Sequence, residues 1–178
     1  MKKINVCCGL DYREGYDNID FSLVGSNGEK LKVDIACNIL TEKLPYEDNS
    51  VDEIVFRESL EHFSRENGLK VLKELFRILK PGGKLDLSVP PALKQMKILF
   101  QKMLDPKEVS FQEFEKAHEM FSYWKWHDDL MGATHESDGT DGDSHKTLYT
   151  KQALKPILEH VGFKIQSIDD NIFVIATK

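Results

Sequence analysis

Long apolar runs are missing from these 178 residues. No stretch approaches the roughly 20 apolar residues of a membrane span. The opening "MKKINVCCGL" also lacks the apolar centre of a secretory leader. Cysteine is scarce: Cys7, Cys8 and Cys37, the first two adjacent. An odd count in that spacing is no disulfide framework and suits a reducing cytoplasm. It is no zinc site either. Structural zinc wants pairs spaced as C-x₂₋₄-C, whereas adjacent residues at a strand end point to opposite sides. Positive charge is in deficit, with a net charge of −6. That argues against nucleic acid as a partner, since such proteins carry a basic face. The run "DGTDGDSH", 138–145, fails as a calcium loop, because Thr140 and Gly142 stand where acids are needed. It reads as a solvated loop or lid. No metal is expected.

What is present suits one soluble domain spanning 1–178. Hydrophobic residues make up 40% and charged residues 30%, enough for a core without staples. Strands are expected at 2–6, 16–21, 31–39, 53–57 and 84–89. A helix is expected over 67–79, where Leu69, Leu72, Leu75, Phe76 and Leu79 share one face. "KPGG", 80–83, should end it. Helical patches near 92–104 and 110–123 and a polar loop at 127–146 form an insert or cap, 91–146. The second patch carries Phe111, Phe114, Phe121, Tyr123, Trp124 and Trp126, read mainly as packing for a cap or a dimer surface. Thr150 can cap a last helix over 151–160, closed by Gly162. "FKIQSI" and "NIFVIAT" then read as an antiparallel hairpin turned at Asp169-Asp170. The alternation predicts an α/β fold with a mostly parallel sheet. Only nine residues separate each of the first strand pairs, 7–15 and 22–30. A parallel crossover usually takes a dozen or more. Either these crossovers are very short, or 22–30 with Asn27-Gly28 forms a hairpin.

The stretch "INVCCGLDYREGYDNIDF", 4–21, carries the chemistry. It is not a dinucleotide fingerprint: Gly9 stands alone until Gly15, and Asp20 follows Gly9 by eleven positions instead of about 20 beyond a G-x-G-x-x-G run. A strand, a small-residue turn at Cys7-Cys8-Gly9, and a second strand ending in Asp20 fit another layout. The turn lets a ligand approach the backbone, and the Asp20 carboxylate can accept both hydroxyls of a ribose. Adenosyl ligands bind in that way at the carboxyl ends of parallel strands.

Further segments stand in a matching order. They are "NVCCG", "GYDNID", "VDIACNILTEKLPYEDNSVDEI", "ESLEHF", "RILKPGGKLDLSVP" and "LKPILEHVGF". Over 4–90 and 147–177 the chain resembles the class I S-adenosylmethionine-dependent methyltransferases, in the small, truncated type 11-like branch. The resemblance implies a Rossmann-like sheet with N-terminal helices shortened or missing, a helical insert after the fifth strand, and S-adenosyl-L-methionine as cofactor. It implies Cys7, Cys8 and Gly9 under the methionine moiety and Asp20 on the ribose. Asn38 and Ile39 fall by the adenine, with Asp34 competing for that role, and Arg57 and Glu58 at the methionine end. Cys7 replaces a usual glycine, and Asn38 stands where an acid is common. No helix precedes the first strand, which implies that either the insert covers that face or a second copy does, the latter giving a homodimer.

Methyl transfer from a sulfonium is an in-line displacement, promoted chiefly by alignment. A base helps when the acceptor must lose a proton. Glu58, His62 and His145 are the catalytic candidates, with Glu61, His127 and His135 nearby in sequence. Glu61 and His62 also read as first-turn residues of the helix that follows. The acceptor is expected to be a small molecule or saccharide, methylated on oxygen or nitrogen. Two alternatives stay open: a non-catalytic cofactor-binding or partner subunit, and a nucleotide-dependent oxidoreductase.

Overall fold

In the computed structural model, residues 1–25, 28–91 and 145–178 are described, with isolated positions 94, 96, 97, 101, 110 and 112. Most of the helices expected at 92–104 and 110–123, the aromatic group, and most of the 127–146 loop with His127 and His135 lie outside the described residues.

Among the described residues seven strands form one sheet: β1 (Lys3–Val6), β2 (Asp17–Asp20), β3 (Ile35–Ala36), β4 (Val51–Arg57), β5 (Leu79–Ser88), β6 (Lys164–Ile168) and β7 (Phe173–Thr177). Their spatial order is β3-β2-β1-β4-β5-β7-β6. β1 to β5 run parallel, and β7 is antiparallel to both β5 and β6. The expected mostly parallel sheet with a terminal antiparallel hairpin is therefore present.

The question of the short crossovers resolves in both directions. β1–β2 and β2–β3 pair in parallel across connections 7–16 and 21–34, in which no helix stands among the described residues. The second loop also folds on itself. Val24 bridges Lys30 in antiparallel sense, and the Leu31 amide donates to the Leu23 carbonyl. That closure consumes Leu31, so β3 is two residues long instead of the expected 31–39. Among the described residues the chain returns to the sheet from β1 to β3 through turns, without a helix. An asparagine pair does what a crossover helix would do. Buried Asn18 donates to the carbonyls of Arg13 and Tyr16, and its own side-chain oxygen accepts from the Arg13 amide and from Asn5 Nδ2. The backbone groups of the first loop are thereby satisfied in place.

α1 (Arg65–Ile78) begins at Ser64, whose hydroxyl accepts from the Asn67 amide. It buries Val71, Leu72, Leu75 and Ile78 against the sheet residues Ile54, Phe56 and Leu85 within one core. α2 (Lys151–Val161) is capped by Thr150, buries Leu154 and Leu158, and packs beside α1. Pro156 lies inside it. One expectation needs correction. "KPGG" does not turn the chain between a helix and a later strand. The helix ends at Ile78, and the fully buried Leu79 already pairs with Val51. Residues 80–83 bulge out within β5 before Lys84 pairs with Glu53. Burial of Leu79 decides the point, since an apolar side chain gains more from the core than a loop would.

Arg77 explains why the 44–50 block has its form. Its guanidinium donates to Glu74, Asp48 and the Tyr46 carbonyl, at 2.6–2.9 Å. Glu74 in turn accepts from the Leu44 amide at 2.9 Å. The loop leading into β4 is thus pinned to α1. Arg77→Met is expected to lower stability by about 2–3 kcal/mol, read as a fall in the urea midpoint at unchanged slope. The Arg77 hydrogen bond holds the Glu74 carboxyl below its ordinary value of 4.5. A depressed carboxylate stabilises the fold above its unfolded pKa and ceases to as pH falls through the folded one. The acid-side loss of stability below about pH 4.5 should therefore shrink in Arg77→Met.

Candidate functional site

The chain leaves β1 toward β2 on one side, and leaves β4 toward β5 on the other. Their carboxyl ends bound the crevice where a doubly wound sheet takes its ligand. Both exits are strained in the same way. Cys7, just after β1, has φ +53°, and Glu58, just after β4, has φ +46°. Left-handed backbone at non-glycine residues costs energy and collects at working sites. Ser59 ties the exits together: its hydroxyl donates to the Arg57 carbonyl at 2.7 Å and approaches that of Cys7 at 3.4 Å.

On the β1 side, Gly9 also takes a left-handed φ of +48°, and a Cβ added there would meet no atom within 4 Å. The turn therefore fronts open space that a ligand can approach. The Gly9 amide donates to one Asp20 oxygen at 2.9 Å and the Ser22 amide to the other at 3.1 Å. Asp20 is more enclosed than a strand-tip carboxylate in an open cleft, at 8% exposed. Two amides occupy only part of a carboxylate's acceptor capacity. The Cys7 thiol is pushed up by burial and then by the Asp20 charge. The same two causes raise Cys8 to about 11. Both stay protonated at neutral pH, and a protonated thiol is a poor nucleophile.

Beyond β3, Asn38 is partly buried and its side-chain oxygen accepts from the Leu40 amide at 3.0 Å, an Asx turn that also positions Ile39. Asp34, the competing position, lies at the other end of β3. Its carboxylate accepts from Asn18 and Tyr12, away from the carboxyl ends of the strands. Arg57 commits its guanidinium to Asp86 through two bonds of 2.8 and 2.9 Å. It offers the crevice backbone, not charge. Glu58 is exposed and accepts from the Ser88 hydroxyl at 2.6 Å.

Glu61 and His62 are not first-turn residues of α1. They stand in a separate 3₁₀ turn, Leu60–His62, which the Ser64 cap divides from the helix. The distant segment 145–147 folds back on this turn. Lys146 and Thr147 donate their amides to the Glu61 carbonyl at 2.7 and 3.1 Å, and Thr147 Oγ1 donates to the Phe63 carbonyl. His145 thereby meets His62 edge-on, with ring centroids 4.8 Å apart. Of the three catalytic candidates, the structure joins His62 and His145. It places Glu58 close enough for its charge to bear on Glu61. Glu61, which the sequence set beside these candidates, also lies against both histidines. It is 1% exposed, and burial raises its carboxyl to about 8, opposed by its own amide and assisted by Glu58. Burial also lowers His145 to about 4, with His62 adding to the effect. Only the "EH" dipeptide before a helix start hinted at such a group.

A parallel sheet whose strand order reverses between β1 and β4, with an antiparallel terminal strand, is the class I methyltransferase fold. Two solved structures share it over 99% of this chain. A SAM-dependent methyltransferase from Archaeoglobus fulgidus is 14% identical, with a TM-score of 0.59 and 86% of its own length covered. One from Methanosarcina mazei is 17% identical, with a TM-score of 0.60 and 92% covered. The [4+2]-cyclase SpnF also shares the fold, at 19% identity and a TM-score of 0.51, with 52% of its length covered. No curated protein matches the sequence. Residues 6–87 match the methyltransferase domain family. That match spans less than half of the chain, and the solved structures show that the chain has the fold of S-adenosylmethionine-dependent methyltransferases. Among the described residues no helix is long and apolar enough to cross a membrane.

Proposed function

We propose that this protein transfers a methyl group from S-adenosylmethionine to an oxygen or nitrogen of a small molecule or saccharide, in the crevice between β1 and β4. The observation that carries the reading is the Asp20 carboxylate, oriented by the Gly9 and Ser22 amides beside a glycine turn that fronts open space. Fold alone would not carry it, since one protein of this fold is a cyclase. The donor set fits the cofactor. A carboxylate suits a ribose diol, Asn38 and Ile39 stand where the adenine would lie, and the turn admits the amino-acid end.

When bound, the cofactor supplies a sulfonium that activates its methyl group without help from the protein. The chain's work is then positioning. Asp20 holds the sugar, and the Cys7-Cys8-Gly9 turn sets the depth of the methionine end. Both thiols remain protonated and so do not compete with the acceptor for the methyl group. Glu58, on the rim, can take a proton from an acceptor amine or hydroxyl. The same reading keeps a cytoplasmic protein and a homodimer. Leu10, Phe21, Leu23 and Leu40, in the loops after β1, β2 and β3, are exposed apolar side chains available to a second copy, and sedimentation equilibrium reads the mass.

Calorimetric titration with S-adenosylhomocysteine tests the reading. One site per chain with micromolar affinity is expected. Heats indistinguishable from dilution at high micromolar ligand would overturn it in favour of a partner subunit that shares the fold.

A further inference from the structure

We propose that Glu61, His62 and His145 form a binding site for one divalent transition-metal ion of the zinc, manganese or cobalt type. The sequence reading looked for metal only at the cysteines and at 138–145. No local spacing points to this site, because His145 stands more than 80 residues from Glu61 and His62.

Three observations carry the proposal. The first is convergence. Nε2 of His62 and Nε2 of His145 each stand 3.9 Å from the same atom, Glu61 Oε1. One ligand atom from each residue lies within 4.8 Å of the others. A separation of 3.9 Å is too long for a hydrogen bond. Ligands bound at about 2.0–2.2 Å to one ion stand roughly 3.0–3.5 Å apart, so modest rotamer shifts close the site.

The second is the state of Glu61. Its side chain is 1% exposed, and neither carboxylate oxygen has a hydrogen-bond partner among the described residues. A buried carboxyl without a partner is unfavourable, because its desolvation is not offset by hydrogen bonds. Such a group calls for a specific cause, of which a bound ion is one. Among the described residues the Glu61 side chain caps no helix, and its backbone carbonyl, not its side chain, holds segment 145–147.

The third is the framework. A metal site needs ligands fixed before the ion arrives. The Lys146 and Thr147 amides on the Glu61 carbonyl, with Thr147 Oγ1 on the Phe63 carbonyl, lock His145 over the 3₁₀ turn. Two imidazoles and one carboxylate are the donor set of first-row transition ions with coordination positions left open. Calcium and magnesium prefer all-oxygen shells.

The site stands beside the β1 exit. Ser59 links its turn to Cys7, and the Glu61 charge bears on the Cys7 thiol. On the function proposed above, the open positions would receive the acceptor's oxygen. The metal-bound hydroxyl releases its proton to solvent, and the oxygen forms the new bond to the methyl carbon. The carbon–sulfur bond breaks with its electron pair passing to sulfur, and the ion is unchanged. The acceptor class narrows to a hydroxyl compound.

Binding is tested without any cofactor. The full chain, stripped with a chelator, is titrated with Co²⁺ and followed by its visible d–d absorption. Saturation at one ion per chain is expected, with displacement by Zn²⁺. Glu61→Gln, which keeps shape and loses the charge, should weaken binding by about 100-fold or more, the upper end of what lesser changes around a metal cost. His145→Gln should do the same and serves if Glu61→Gln fails to fold by circular dichroism. Absence of saturable binding at millimolar Co²⁺, or a folded variant that binds like the wild type, would overturn the site. Metal binding without binding of S-adenosylhomocysteine would leave the site standing and remove the function. The reverse would remove the site alone.

Discussion

Asp20→Ala should abolish detectable binding of S-adenosylhomocysteine while leaving a folded protein. The carboxylate meets the Gly9 and Ser22 amides, which leaves acceptor sites for a diol. Hydrogen bonds to a charged group contribute about 1.5–3 kcal/mol each, so losing two weakens binding by about 100-fold or more. Alanine also strands the two amides, and a fall in stability of about 1–3 kcal/mol accompanies the change. Asp20→Asn separates the effects. Its carbonyl can still accept one amide, so stability should recover further than affinity. Calorimetry beside thermal melting reads both. A folded Asp20→Ala that binds like the wild type would show that the sugar lies elsewhere.

Gly162→Ala should produce the largest loss of stability among single-methyl changes outside the crevice. Gly162 closes α2 at φ +116°, a conformation that side chains rarely adopt. An added Cβ would stand 2.8 Å from the Phe76 ring, itself packed edge-on against Phe163 at 5.0 Å. The ring cannot retreat without leaving Phe163. Backbone strain of about 1–2 kcal/mol and overpacking of about 1–3 kcal/mol together suggest roughly 3 kcal/mol. For a chain of this size the melting temperature should fall by about 6–12 °C. Binding of S-adenosylhomocysteine below the transition should not change, because Gly162 lies in the helix layer. An unchanged melting temperature would mean that α2 and α1 can move apart freely.

The place of both residues in the fold was legible in advance, for different reasons. Gly162 follows a helical stripe and needs only local chemistry to be read as a cap. Asp20 follows a strand and a small-residue turn, and the spacing from Gly9 separated it from a dinucleotide fingerprint. Leu79 was misplaced because periodicity cannot distinguish a last helical residue from a first strand residue when both are buried. The first crossovers stayed open because loop length alone does not say whether a turn folds on itself.

Local pattern determined the order of strands and helices, their caps, and the small-residue bend ahead of Asp20, since each depends on residues within a few positions of one another. Tertiary structure alone decided that His145 meets Glu61 and His62, across more than 80 residues. It also decided that the Glu61 carboxyl is buried without a hydrogen-bond partner among the described residues. Burial and convergence are properties of packing, and no spacing in a chain encodes which distant loop will close over a turn.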